Sequence, residues 1–225
     1  DRAGRPFEQR IRAWLGESES QFDVALIVRR TMEPEQYALR TGPFEPRSRA
    51  EVTAWRDLFA RLEVESLVYG LVLVQRRNAV GKHFTVRREA ADVFRQADWQ
   101  WLLAWETAAV DGRLTRAVLD SCLHASRCTQ FDVQHQRTGE GWTPTSYRLS
   151  TERPFSLNCH AEPWAAHLLA QCDGVRTGRE LMYLLKEQGV IPPQAGDAEF
   201  AEAVAPLISG GFLEVEGFRP PQAAE

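Results

Sequence analysis

Two stretches of this chain are almost continuously apolar, "FDVALIVRR" over Phe22 to Arg30 and "SLVYGLVLVQRR" over Ser66 to Arg77. Neither alternates with polar residues, so each predicts a strand covered on both faces, as inside an α/β sheet. The second run stops abruptly at Gln75, Arg76 and Arg77. Helical spacing lies around them. Phe7, Ile11, Trp14 and Leu15 share one face of a helix over 6–16. In "SRAEVTAWRDLFARLEV" an apolar stripe of Val52, Trp55, Leu58, Phe59 and Leu62 predicts a second helix, and Ser48 with Glu51 forms a capping box at its start. The stretch "TMEPEQYALRTGPFEPRS" is broken by Pro and Gly, with one helical turn expected at Glu35 to Leu39. The order is helix, strand, helix, strand, with a long insertion after the first strand.

After Arg77 the pattern changes. "NAVGKHFTVRREA" predicts a turn and a short strand. "ADVFRQADWQWLLAWETAAV" is helical, with Trp99, Trp101 and Trp105 close together, and "DGRLTRAVLDSCLHA" starts another helix at Leu114. "CTQFDVQHQRT" and "TSYRLSTE" read as strands joined through the Gly- and Pro-bearing "GEGWTP", with "RPFSLNCHAE" as a third extended piece. Three helices follow. "PWAAHLLAQCDG" has Pro163 in its first turn and Gly174 past its end. "TGRELMYLLKEQGV" is capped by Thr177 with Glu180, and "AEFAEAVAPLISGG" ends at Gly210 and Gly211 before the short strand "FLEVEGF". This suggests a winged-helix-like end at about 160–218. No internal repeat is present.

Composition sets bounds on this picture. A chain of 225 residues, 44% of them hydrophobic, can bury one large core or two small ones. The net charge of −4 gives no global basic field to draw in nucleic acid, although a local basic patch is still allowed. The four cysteines, Cys122, Cys128, Cys159 and Cys172, include no C-x-x-C pair. With no signal peptide and no apolar run of membrane-spanning length, reduced thiols and a cytoplasmic setting are expected, without a membrane partner. The chain opens without Met and enters a helical pattern at once, which reads as an interrupted beginning.

The block "FDVALIVRRTMEPEQYALR", a helix with a central Trp, and "LEVESLVYGLVLVQRR" together resemble the tail of class I S-adenosylmethionine-dependent methyltransferases of the PrmC-like, small-domain group. In that group an apolar strand leads into a D/E-P-x-x-Y-A segment, here Glu33, Pro34, Tyr37 and Ala38. A Trp-bearing helix and a strand ending in basic residues then follow. The resemblance covers roughly residues 5–90 and implies that the two strands form an antiparallel hairpin at one edge of a Rossmann-like sheet. Separately, "LLAQCDGVRTGRELMYLLKEQ" with "GGFLEV" is similar to PqqD-like winged-helix modules, though that pattern is generic. The fold expected is therefore a partial Rossmann-like α/β unit over 1–90 and an accessory α+β domain over 91–225.

One departure from the family limits the chemistry. A Gly-rich loop after a strand, which lets backbone approach the cofactor, is missing, and so is an N/D-P-P-Y/F loop. Gly139 and Gly141 fall in a hairpin loop, and Gly210 and Gly211 at a helix end. The resemblance thus implies S-adenosylmethionine for the full-length protein, with none bound by this chain alone. It also implies an upstream methyltransferase core as partner, and no catalytic residue is expected here.

Other constellations offer chemistry of their own. Cys122, His124 and Cys128, and then Cys159, His160, His167 and Cys172, have spacings that match no common zinc knuckle. Buried thiols with surface histidines are the expected reading, and no metal is assigned. Trp99, Trp101, Trp105 and Trp142 offer a stacking platform for bases, but the one-turn spacing of Trp101 and Trp105 favours core packing. The pairs Arg29–Arg30, Arg76–Arg77 and Arg87–Arg88 follow strands, where they either line a groove for an anionic substrate or are simply solvated. The helix over 178–188 balances Arg179 and Lys186 against Glu180 and Glu187, which favours a protein or peptide partner over DNA. The candidate substrate or partner contacts are Arg76, Arg77, Arg87, Arg88, Trp142 and Arg179. The expected function is substrate recognition by an accessory domain of a methyltransferase-like protein; the alternative is a non-catalytic winged-helix module that binds a peptide or protein. An oligomer is allowed by either.

Overall fold

The unbroken apolar run at Phe22 becomes a strand with partners on both sides. In the computed structural model, which describes residues 1–40, 48–77, 82–90, 94–139 and 141–215, the chain divides into two units, Asp1–Glu89 and Ala90–Glu225. The first contains α1 (Phe7–Leu15), a 3-10 turn (Gly16–Gln21), β1 (Phe22–Met32), α2 (Pro34–Leu39), α3 (Arg49–Arg61), β2 (Leu67–Arg76) and β3 (Thr85–Glu89). β1 is the middle strand. It pairs antiparallel with β2 from Phe22↔Arg76 to Met32↔Leu67, and parallel with β3 from Val24↔Thr85 to Val28↔Glu89. The turn expected at Asn78 to Gly81 lies outside the described residues, as does Thr41 to Arg47 of the long insertion.

Val24, Ala25, Leu26, Ile27 and Val28 of β1 are all buried, as their two-sided apolar sequence requires. The equivalent expectation for β2 fails. Tyr69 and Leu71 on one face, and Val72 and Val74 on the other, are exposed. The physical reason is position: β2 is an edge strand, and among the described residues no helix is packed over both its faces. The buried Arg12 of α1 closes the opposite side of the sheet. Its guanidinium donates to Thr85 Oγ1 (2.6 Å) and to the carbonyl oxygens of Glu19 (2.8 Å), Phe22 (2.6 Å) and Phe84. A buried charge is tolerable only when its donors are satisfied in this way.

The Glu33-Pro34-x-x-Tyr37-Ala38 segment forms α2, with Pro34 in the first turn and Ala38 fully buried. The Tyr37 ring stands edge-on to Trp55 (5.2 Å between centroids) and to Phe59 (5.7 Å) on α3. Two of the residues that carry the family-like pattern, Tyr37 and Trp55, are therefore packing partners. The Ser48–Glu51 capping box at the start of α3 is present with both reciprocal hydrogen bonds.

The second unit contains α4 (Gln96–Val110), α5 (Leu114–Leu119), β4 (Cys122–Ala125), β5 (Thr129–Thr138), β6 (Gly141–Thr151), β7 (Leu157–His160), α6 (Pro163–Gln171), β8 (Asp173–Thr177), α7 (Gly178–Glu187), α8 (Asp197–Ser209) and β9 (Leu213–Val215). β5, β6 and β7 form an antiparallel meander, and β4 lies between β8 and β9, antiparallel to both. The helix entered at Leu114 stops at Leu119, and Cys122–Ala125 is a strand rather than its continuation, because Leu123 takes the buried position opposite Val215. The stretch after α6 likewise becomes β8, although its sequence "DGVRT" carries no apolar run. Gly178 explains how α7 fits: a Cβ there would overlap the carbonyl oxygen of Val118 at the end of α5. Trp101 and Trp105 are buried in this unit, where Trp105 Nε1 donates to Ser209 Oγ (3.3 Å). They pack a core and offer no stacking platform. Among the described residues the chain is a mixed α/β protein of eight α-helices and three three-stranded sheets, none closed into a barrel.

Candidate functional site

The three arginine pairs, identical in sequence style, have different fates. Arg77 faces the buried Asp23, with both carboxylate oxygens at 3.4 Å, while Asp23 Oδ1 also accepts from the Phe84 backbone N–H (3.1 Å). Arg76 donates to the Gln21 side chain (3.2 Å). Arg87 bridges Asp1 (3.1 Å) and Glu8 (3.3 Å), tying β3 to α1, and Arg88 bonds the Arg87 carbonyl (3.0 Å). Arg77 and Arg87 thus hold their own unit together.

Arg29 and Arg30 differ. The β1–β2 register slips between Val28 and Arg30, so one residue of β1 is extra there. Such a bulge re-aims side chains that would otherwise alternate between faces. Arg29 and Arg30 line one cleft of about 330 Å³ together with Arg40, which follows α2, and Tyr69 of β2. Among the described residues no carboxylate pairs with any of the three guanidiniums. The bulge is supported from across the sheet. Gly70 is opposite Val28, and a Cβ there would overlap the Ile27 carbonyl oxygen. Sequence reading had singled out Arg29 and Arg30 but not Arg40 or Tyr69. The available signal was Gly70, since a glycine inside an apolar strand marks a bulge or close backbone approach.

A second cleft of the same unit, about 560 Å³, is lined by Glu33, Glu35, Glu63 and Glu65 around Phe59 and Val64. Arg56 already neutralises Glu35, and its hydrogen bond holds that carboxyl below the usual carboxylate range.

In the second unit Trp142 is 71% exposed at the β5–β6 hairpin, where Glu140 lies outside the described residues. Arg179 at the start of α7 is held by Asp197 (2.7 Å) and Asp120 (3.4 Å), so its guanidinium is already engaged within the unit. Within the first unit Arg76, Arg77, Arg87 and Arg88 each bond a group of that unit, and within the second Arg179 does so while Trp142 is exposed. The four cysteines are free thiols, and among the described residues no three His, Cys, Asp or Glu side chains converge as metal ligands. Cys172 is buried, and that burial, with a smaller contribution from the charge of Asp173, pushes its thiol up to about 12.

Among the described residues, no turn has the Gly-rich form expected of an S-adenosylmethionine cradle. β1 runs straight into α2 at Glu33–Pro34, and no glycine of positive φ lies in a strand-to-helix turn of the described residues. Nothing there cradles a cofactor as a Gly-rich loop does. No helix among the described residues is long and apolar enough to cross a membrane. No family model matches the chain, and no curated protein matches it in sequence.

Proposed function

We propose that this chain is the C-terminal part of a S-adenosylmethionine-dependent methyltransferase-like protein. The first unit would supply the last hairpin of a Rossmann-like sheet, and the second would recognise the substrate. The carrying observation is β2. A ten-residue edge strand, apolar on both faces and free of Pro and of charge from Leu67 to Val74, is a template for further pairing that soluble proteins ordinarily blunt. The Arg77 N–H bonds the Gln21 carbonyl on the β1 side, so by alternation the even-numbered residues Val68, Gly70, Val72, Val74 and Arg76 turn their backbone groups outward. Such an edge suits a strand of the cofactor-binding core, whose helices would also cover the two apolar faces. In this reading the cofactor supplies an electrophilic methyl group, and its cradle belongs to that core rather than to these residues.

The engagement of Arg179 by Asp120 and Asp197, together with the exposure of Val175 and Tyr183, favours a second reading. In it the second unit is a non-catalytic winged-helix-like module for a protein or peptide partner.

The coding sequence adjoining Asp1 tests the first reading. It should encode a G-x-G loop after a strand, and the longer protein should bind S-adenosylmethionine in calorimetry while residues 1–225 alone do not. A longer protein that lacks the loop and binds nothing overturns the methyltransferase reading.

A further inference from the structure

We propose that the cleft formed by Arg29, Arg30, Arg40 and Tyr69 is a binding site for the phosphate group of a small phosphorylated ligand. The inference stands independently of the methyltransferase reading, because it rests on the bulge and the cleft alone.

Three arginines line one cleft of about 330 Å³, and no carboxylate among the described residues pairs with them. Arg12, Arg56, Arg77, Arg87 and Arg179, by contrast, each bond a group of their own unit. The arrangement is also built into the backbone. The register slip at Val28/Arg30 and the absence of a Cβ at Gly70 act together, and an unbulged strand would send Arg29 and Arg30 to opposite faces.

The donor set selects the ligand class. Guanidinium forks match the oxygens of phosphate in pairs, and phosphate carries enough charge to offset several of them. Tyr69, which also lines the cleft, carries a hydroxyl that can donate or accept. A cleft of this volume is at the lower end of small-ligand sites, with room for a phosphate and a modest organic group. An extended polyanion would meet the rest of a molecule with net charge −4, which opposes nucleic acid.

The test titrates the full chain with inorganic phosphate and with pyrophosphate at fixed ionic strength, by calorimetry and by the rise of the melting temperature. We expect saturable binding, weakened by more than about tenfold in R30Q/R40Q, since each charge-assisted hydrogen bond contributes about 1.5–3 kcal/mol. R116Q, on α5 and outside the lining of the cleft, should bind as the parent does. Unchanged melting of the unliganded R30Q/R40Q protein would show that the variant folds. Three results would overturn the site: no saturable binding of either anion, equal affinity in R30Q/R40Q, or a single-stranded RNA oligonucleotide binding far more tightly than pyrophosphate and displacing it.

Discussion

Gly70 is a residue whose importance comes from what it lacks. Its missing side chain lets β2 approach the Ile27 carbonyl beside the bulge, so Gly70→Ala must push the two strands apart or drive the carbonyl aside. Inserting even one methyl group at such a contact costs about 1–3 kcal/mol. Urea unfolding of this variant should show a lower midpoint with little change in slope, and the phosphate response of the Arg29–Arg30 cleft should weaken with it. At the same scale, sequence and structure agree best where a local rule is self-contained. Ser48 with Glu51, and Thr177 with Glu180, satisfy each other within one turn and were readable directly. The partners of Arg77 and Arg87 were not readable, because Asp23 and Asp1 are brought to them only when β1, β2 and β3 align.

Among the elements, β2 shows how far a pattern can be read. Its apolar run identified a strand correctly, and it is paired with β1 along its length. The cover on its faces was not legible from the run, since periodicity reports what a strand can bury and not what is beside it. Substituting Val72→Lys and Val74→Lys should accordingly change stability by less than about 0.5 kcal/mol each, as at other exposed positions. The same pair should reduce self-association in light scattering, because a lysine on an open edge opposes strand addition. β4 and β8 mark the opposite limit. Each is only four or five residues long, with no alternation to announce it, and each exists because β4 is flanked by two partners distant in sequence.

At the scale of the whole molecule, Cys172 makes stability depend on pH at the alkaline end. Its thiol titrates at about 12 in the folded chain against an ordinary 9.0. Below pH 9 it is protonated in both folded and unfolded states, so the folded state loses nothing. Between pH 9 and 12 the unfolded chain releases a proton that the folded chain retains, so stability falls, by up to about 4 kcal/mol at the top of that window. The slope of stability against pH in this range should be shallower for Cys172→Ala than for the parent, measured by denaturant titration at each pH. The coarse division of labour along the chain was more legible than its cores. Strand and helix types followed from spacing, whereas the burial of Trp101, Trp105 and Phe155 in one unit depends on α4, α8 and the β6–β7 connection meeting.

The position of β1 between two later partners has a further consequence during synthesis. The strand richest in buried residues emerges first, but β3, its second neighbour, ends roughly 60 residues downstream of it. At ribosomal speeds of about 5–20 residues per second, β1 waits on the order of 3–12 seconds before its sheet can close. Throughout that delay Val24 to Val28 have no complete sheet, and Arg12 lacks Thr85 and the Phe84 carbonyl as acceptors. The nascent first unit therefore keeps an uncovered apolar strand through that interval, which ends only when Thr85 to Glu89 have been released.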